Sequence, residues 1–257
     1  MRVLIHAGFH KTGTTSVQAA LRRNRDALAP FLRIRLPGQT RSLRQAARAW
    51  SDGHDPVDAG LIRYEAAELA GRLDPSDPRP VLISSEDLCG HMPGRHDLAD
   101  YGAAPRILSW IVGAIMAAQP EAEVGVHFST RAAEPWLRSS HAQHLRATRI
   151  TEDADSYVHR MSASADFTPI IANVSAAVAP ADVSQTPIEA CSANPLAPLF
   201  DRLDLPAACL ATAALPGPVN TAPPAAWVEA VLQLNRSDLP QPDWERARAA
   251  IREEDYT

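Results

Sequence analysis

Three short apolar segments stand out in the pattern of hydrophobic and polar positions along the chain. They lie at residues 2–6, 81–85 and 124–128, and Val, Ile and Leu dominate them. Short apolar runs without strict alternation are typical of strands buried on both faces of a parallel sheet. A weaker segment at 33–36, which ends before a Pro-Gly pair, predicts another strand, and 183–189 predicts a further one.

Between these strands, apolar positions recur at helical spacing. Besides a helix directly after the first strand, helices are predicted over 42–51, 57–73, 106–118, 134–149, 195–203, 223–235 and 242–253. Strands that alternate with helices indicate βαβ units and a parallel sheet. We therefore expect an α/β fold of three layers, with a central parallel sheet of four or five strands flanked by helices. A length of 257 residues suits one large domain.

The loop after the first strand carries Lys11, the only lysine of the sequence. Gly8 and Gly13 bracket this loop, and Thr14 or Thr15 is expected to cap the helix that follows. A glycine loop between a strand and a helix is typical of a phosphate cradle, because backbone N–H groups and the helix N-terminus favour an anion. Lysine adds a compact positive charge that arginine does not reproduce.

The loop also has the glycine spacing of a nucleotide-triphosphate loop. Gly8 and Gly13 are separated by four residues, and Thr15 supplies the hydroxyl that ends that motif. Thr14 stands where the motif has its lysine, and Lys11 lies inside the loop instead. The pattern predicts a P-loop NTPase-like fold in which the position of the cation has changed.

Composition and charge narrow the classes of function. A formal net charge of −5 gives no general attraction to nucleic acid, so no nucleic-acid partner is expected. The three cysteines show no metal-ligand spacing and cannot all pair, which favours a reducing, cytoplasmic location. No apolar run reaches the ~18 residues of a transmembrane helix, and the initial strand does not look like a signal peptide.

The segment His-Lys-Thr-Gly-Thr-Thr-Ser at 10–16 resembles the 5′-phosphosulfate-binding loop of sulfotransferases that use 3′-phosphoadenosine 5′-phosphosulfate. Residues 17–21 and 24–26 resemble bacterial members of that family. The resemblance implies this nucleotide as co-substrate, 3′-phosphoadenosine 5′-phosphate as product, and no metal. It also implies a nucleotide-binding core at 1–150 and a divergent acceptor side at 151–257. The implied nucleotide-binding residues of the loop are Lys11, Thr12, Gly13, Thr14, Thr15 and Ser16.

A second pattern follows the strand at 124–128. Arg131 comes at the strand end and Ser139 eight residues later, a separation similar to the Arg and Ser that hold the 3′-phosphate in this family. An arginine fork with a hydroxyl suits a phosphate monoester. Ser140 is the alternative hydroxyl, and Arg138 is expected to face solvent.

Sulfuryl transfer is similar to phosphoryl transfer, since both depend on positioning and on stabilising charge at the leaving oxygen. Lys11 is the candidate for that stabilisation, and Glu86 is the candidate base for the acceptor. The resemblance supports a glutamate base, which polysaccharide sulfotransferases use. His10 competes as a catalytic residue, whereas His6 and His127 lie on predicted strands and are expected to be core histidines.

The resemblance is good over 1–30, fair over 81–90 and 124–146, and weak elsewhere. The late Arg-Lys-Gly segment of the cytosolic enzymes is missing, because no lysine follows Lys11. Asn220 is a candidate for an equivalent loop.

Three functions therefore compete. The favoured one is a sulfotransferase acting on a hydroxyl, less readily an amine, of a small-molecule or saccharide acceptor. The second is a P-loop kinase using Mg-ATP, with Glu86 or Asp87 on the magnesium side. The third is a non-catalytic nucleotide-binding protein on the same fold.

Overall fold

A computed structural model of the chain describes residues 1–191, 193–212 and 222–256. One sheet of five parallel strands forms its centre, in the order β2-β3-β1-β4-β5. The strands are β1 (Arg2–His6), β2 (Arg33–Arg35), β3 (Val81–Ser84), β4 (Glu123–Thr130) and β5 (Asp182–Pro187). All five predicted strands are confirmed, and so is the expected α/β class with its parallel sheet.

The helices of the described residues include every predicted helix, with shifted ends, and others that were not predicted. They are α1 (Thr14–Arg23), α2 (Arg25–Leu28), α3 (Arg41–Gly53), α4 (Pro56–Gly71), α5 (Ala104–Ala118), α6 (Ala133–Ala147), α7 (Ala154–Arg160), α8 (Thr168–Val178), α9 (Ala197–Arg202), α10 (Ala207–Thr212), α11 (Ala225–Asn235) and α12 (Gln241–Ala250). Asn24 separates α1 from α2, because its side-chain amide donates to the Ala20 carbonyl at 2.8 Å and ends the first helix. Sequence reasoning missed α7, α8 and α10.

Strand register places apolar side chains on both faces of the sheet. Leu4 of β1 is paired with Leu82 of β3, and both belong to a buried cluster with residues from α1, α2 and α9. Val3 and Ile5 alternate with Leu4 and are fully buried on the other face. There α3, α4, α5 and α8 pack on one another in succession. The result is the three-layer arrangement of a P-loop-like fold.

The chain divides into two compact units. The first contains the sheet and consists of Met1–Arg131 and Asp166–Val219, and the second consists of Ala132–Ala165 and Asn220–Thr257. The sheet unit therefore takes residues from both sides of the expected division at residue 150. Whether both units form one domain stays a prediction. Asn220, the candidate for a nucleotide-binding loop, lies outside the described residues.

No helix in the described part of the chain is both long enough and apolar enough to cross a membrane.

A row of polar side chains crosses the sheet near its carboxyl edge. His6, which is fully buried, lies between two serines: its Nδ1 is 2.9 Å from Ser84 Oγ and its Nε2 is 2.8 Å from Ser129 Oγ. His127 on β4 is 2 % exposed, and its Nδ1 is 2.9 Å from Ser184 Oγ. Both rings are core histidines, as predicted.

Burial keeps these two rings neutral. Desolvation, followed by the charge of His127, lowers the pKa of His6 to about 3. Desolvation, followed by the charge of Arg202, lowers the pKa of His127 to about 4. An unfolded chain binds a proton on each ring with a pKa of about 6.5.

We predict that stability falls as the solution becomes acidic. The contribution of each ring is complete above about pH 6.5, and the free energy of unfolding falls by about 1.4 kcal/mol per pH unit for each histidine below it. Urea unfolding between about pH 7 and pH 5 measures this slope. In the His6→Gln variant the free energy of unfolding should fall less steeply with decreasing pH, by the contribution of one histidine, whatever the stability of the variant at neutral pH. An unchanged slope in that variant would show that His6 is not a buried neutral ring.

Candidate functional site

The loop between β1 and α1 has an irregular backbone held by its own hydrogen bonds. Gly8, Lys11 and Gly13 all have positive φ, at 50°, 65° and 92°. Thr12 is fully buried, and its hydroxyl donates to the Phe9 carbonyl at 2.6 Å. Lys11 is thus a non-glycine residue in a left-handed conformation, which the surrounding structure must hold in place.

The prediction that Thr14 or Thr15 caps α1 is wrong. Gly13 occupies the N-cap, with no side-chain hydrogen bond, and Thr14 and Thr15 lie inside the first turn. Gly13 takes this position because its φ of 92° is costly for any residue with a side chain. The N–H groups of Ser16 and Val17 donate to the Gly13 carbonyl at 3.0 and 3.2 Å, whereas those of the first two helical residues have no acceptor within the helix.

Phe9 anchors the loop in the core. Its ring is fully buried, stacks on Phe167 and Phe128 with centroids 4.3 and 4.9 Å apart, and lies 4.7 Å from the Tyr101 ring. Because Phe9 lies two residues before Lys11, this packing holds the loop in place against the core.

The two glycines allow close approaches that a Cβ atom would prevent. A Cβ on Gly8 would lie 2.5 Å from Thr14 Cγ2 and 3.4 Å from His6 Nε2. A Cβ on Gly13 would lie 3.3 Å from Ile188 Cγ2, in the segment after β5. The loop is therefore folded tightly onto the start of α1 and over the polar row of the sheet.

Arg131 lies at the end of β4, beside β1 in the sheet, and reaches the same loop. Its guanidinium donates to the Lys11 carbonyl at 3.2 Å. The structure therefore brings together two predicted residues that are 120 positions apart. The interaction also restrains the left-handed backbone at Lys11.

His10 is held by partners from two other segments. Its Nε2 is 3.2 Å from Asp87 Oδ1, and its Nδ1 is 3.1 Å from the Tyr101 hydroxyl, which also accepts from the His10 backbone N–H at 3.0 Å. A carboxylate accepts only, so the bond to Asp87 assigns a proton to Nε2. When the ring is neutral the Tyr101 hydroxyl donates to Nδ1, and when the ring is protonated Nδ1 donates to that hydroxyl.

Asp87 connects this histidine to α3. Its Oδ2 accepts from Arg44 at 2.7 Å and lies 3.4 Å from Arg48. Burial opposes ionisation, but the hydrogen bond from His10 and the charges of His10, Arg48 and Arg44 outweigh it and lower the pKa of Asp87 to about 2. The carboxylate is therefore charged near neutral pH and has basic partners on both oxygens.

Glu86, the predicted base, begins the 3₁₀ turn Glu86–Cys89 that follows β3. Its Oε2 accepts from the Gln18 side chain of α1 at 2.8 Å. Glu86 is half-buried, and Gln18 is 4 % exposed. The turn directs the two neighbouring carboxylates to different partners, Glu86 to α1 and Asp87 to His10 and α3.

The remaining predicted hydroxyl lies in the second unit. Ser139 on α6 is half-buried, and Ser140 is fully buried, with no hydrogen-bond partner for its Oγ among the described residues. Arg138 is exposed, as expected, and pairs with Glu134 and Asp155 at 3.0 Å. Arg131 and Ser139 belong to different units, so their joint role stays a prediction.

Tyr101, Arg44, Arg48 and Gln18 were missed in the sequence. None lies in a recognisable motif: Arg44 and Arg48 reach the site from α3, Gln18 from α1 and Tyr101 from the loop before α5. Asp87 alone could be recognised in the sequence as a candidate, because it is the second carboxylate directly after a buried strand.

No family model, curated protein or solved structure matches the chain. Within the described residues, no three His, Cys, Asp or Glu side chains are grouped so as to hold a metal ion. The chemistry of the site is therefore inferred from its geometry and from the loop sequence.

We predict that Gly8→Ala destabilises the protein. The added methyl group would lie 2.5 Å from Thr14 Cγ2, at a φ that disfavours alanine. The expected loss is about 1–3 kcal/mol of unfolding free energy, measured by urea denaturation.

Gly60→Ala is the matched control, because Gly60 lies in α4 with nothing within 4 Å of an added Cβ. It should be neutral or stabilising by up to about 1 kcal/mol. Thr14→Ser removes the opposing methyl group and should restore part of the loss in the Gly8→Ala background. Equal stability of the Gly8→Ala and Gly60→Ala variants would contradict the close approach.

Proposed function

We propose that the protein is a sulfotransferase that moves a sulfuryl group from 3′-phosphoadenosine 5′-phosphosulfate to a hydroxyl acceptor. The observation that carries the proposal is the loop: Lys11 is held in a left-handed conformation between two positive-φ glycines, at the start of α1. This loop lies where ligands bind in open α/β folds, beyond the carboxyl ends of parallel strands.

The loop residues fit a phosphosulfate group chemically. Backbone N–H groups at the start of α1 are donors for anionic oxygens, and the hydroxyls of Thr15 and Ser16 lie on half-buried residues of the same turn. In the proposed reaction the Lys11 ammonium stabilises negative charge on the departing 5′-phosphate. The co-substrate supplies the activated sulfuryl group.

Arg131 supports the assignment of a nucleotide that carries a further phosphate. Its guanidinium is anchored to the loop by one bond to the Lys11 carbonyl and is half-buried. An arginine fork has several donors, so one bond to the loop leaves others for a phosphate. Under the proposal, Arg131 binds the 3′-phosphate.

We assign Glu86 as the base that accepts the proton from the acceptor hydroxyl. It follows β3, next to β1 in the sheet, and the Gln18 amide orients one of its oxygens. His10 is assigned a positioning role, because Asp87 and Tyr101 occupy its two ring nitrogens. Through these bonds His10 fixes the backbone that precedes Lys11.

The kinase alternative is motivated by Gly8, Gly13 and Thr15, which have the spacing of a nucleotide-triphosphate loop. It needs a carboxylate that reaches magnesium. Both oxygens of Asp87 are engaged by basic side chains, and one oxygen of Glu86 accepts from Gln18. These contacts favour the sulfotransferase proposal.

The first test is thermal melting with 3′-phosphoadenosine 5′-phosphate, AMP, and ATP plus magnesium. A ligand at about 100 times its dissociation constant adds about 2.7 kcal/mol of stability, which raises the Tm by about 5 °C or more at this size. We expect this rise with the 3′-phosphorylated nucleotide alone. Lys11→Ala and Arg131→Ala should each reduce it.

Arg138→Ala is the control, since it removes an arginine that is exposed and pairs with Glu134 and Asp155. It should leave the rise unchanged. A larger rise with Mg-ATP would favour the kinase. Absence of any response to the 3′-phosphorylated nucleotide would refute the proposal.

A further inference from the structure

A second group of basic side chains lies on the β3 side of the candidate site. Arg48 of α3 contributes to it, together with His91, Arg95 and His96 from the loop after the 3₁₀ turn; these four residues are called the basic cluster below. The rings of His91 and His96 are 4.9 Å apart between centroids. Arg48 lies 3.4 Å from Asp87, so the cluster adjoins the network around His10.

The backbone that carries the cluster is tightly held against α3. Gly90 has a φ of 85°, and a Cβ there would lie 2.5 Å from Ser51 Cβ. The His91 N–H donates to Ser51 Oγ at 2.9 Å. Farther along, the Gly94 N–H donates to the Leu98 carbonyl at 2.8 Å and closes the loop. The positions of His91 and the residues after it are therefore fixed by backbone contacts.

Two members of the cluster lack acceptors. Arg95 is half-buried, and no residue in the described ranges accepts a hydrogen bond from its guanidinium or forms an ion pair with it. The His91 ring is also half-buried, and none of the described side chains hydrogen-bonds to it. Half-buried donors without acceptors are costly to maintain unless a ligand or water satisfies them.

The acidic groups nearby compensate only partly for this charge. Asp87 is held mainly by Arg44, at 2.7 Å, and lies farther from Arg48. Asp52 lies 3.4 Å from His96, with both side chains more than 40 % exposed. Exposed pairs of this kind contribute little.

The electrostatic effect is visible at His91. Burial first, and then the charges of His96, Arg48, Arg95 and His10, lower the pKa of this ring to about 4. Every charge in that group is positive, so an anion placed among these side chains would favour protonation of the ring.

We propose that the basic cluster binds an anionic group of the acceptor, a carboxylate or a phosphate ester. This inference rests on the proposed function, because it identifies the acceptor as an anionic hydroxyl compound. Arg48 contacts Asp87, which directly follows Glu86 in the same 3₁₀ turn, so the cluster adjoins the turn that carries the assigned base. An anion held there would keep the rest of the acceptor near Glu86.

The test measures binding of sugars to the full chain in the absence of nucleotide. Glucuronate, glucose 6-phosphate and glucose serve as carboxylate, phosphate and neutral probes. Calorimetry gives the affinity, and NMR titration of the His91 ring gives its pKa with and without probe. We expect at least one anionic probe to bind about tenfold or more tightly than glucose and to raise the pKa of His91.

Arg95→Gln should weaken binding of that probe about tenfold. Arg41→Gln, at an exposed position at the start of α3, should leave it unchanged. Equal binding of the three sugars, no binding of any, or equal effects of the two variants would overturn the proposal. Because no nucleotide is present, failure here is separate from failure of the nucleotide to bind in the melting test.

Discussion

One buried charge, the Asp87 carboxylate, joins the segments that build the candidate site. It is paired with His10 of the loop on one oxygen and with Arg44 of α3 on the other. A buried carboxylate is stable only when paired, and loss of one partner leaves an uncompensated charge. The loop, the end of β3 and α3 are thus held in one arrangement. The left-handed backbone at Lys11 is maintained within that arrangement by Arg131.

The loop is also supported from below. Phe9 fills the core beneath it, and the buried His6 ring lies close enough to Gly8 that a Cβ there would touch it. The aromatic packing around Phe9 resists displacement of the loop. The polar row restrains the loop differently, because its hydrogen bonds are satisfied in one arrangement only. A loop preorganised in this way does not need to reorganise around an anion, which is the condition for electrostatic stabilisation in an active site.

Sequence patterns were sufficient for the sheet and for the strand ends, because buried parallel strands appear as apolar runs and glycine brackets the loop. They placed Lys11 and Arg131 at neighbouring strand ends, and the structure joins them. They did not reveal that Asp87 is the carboxylate bound to His10, because the 3₁₀ turn decides which of two adjacent side chains faces the loop. Tyr101 and Arg44 depend on tertiary packing and have no local signal.

Basic side chains are unevenly distributed over the sheet unit. The chain has a net charge of −5, yet basic side chains lie together at two places: Arg131 with Lys11 in the loop after β1, and Arg48 beside Asp87 after β3. Screening limits the attraction of exposed charges to about 10 Å, so the overall negative charge does not cancel these local fields. Under the proposed reaction, the anionic donor and an anionic acceptor would each be held by its own positive group, which reduces their mutual repulsion. In that reaction Glu86 is the group assigned to remove the acceptor's proton as the sulfuryl group is transferred.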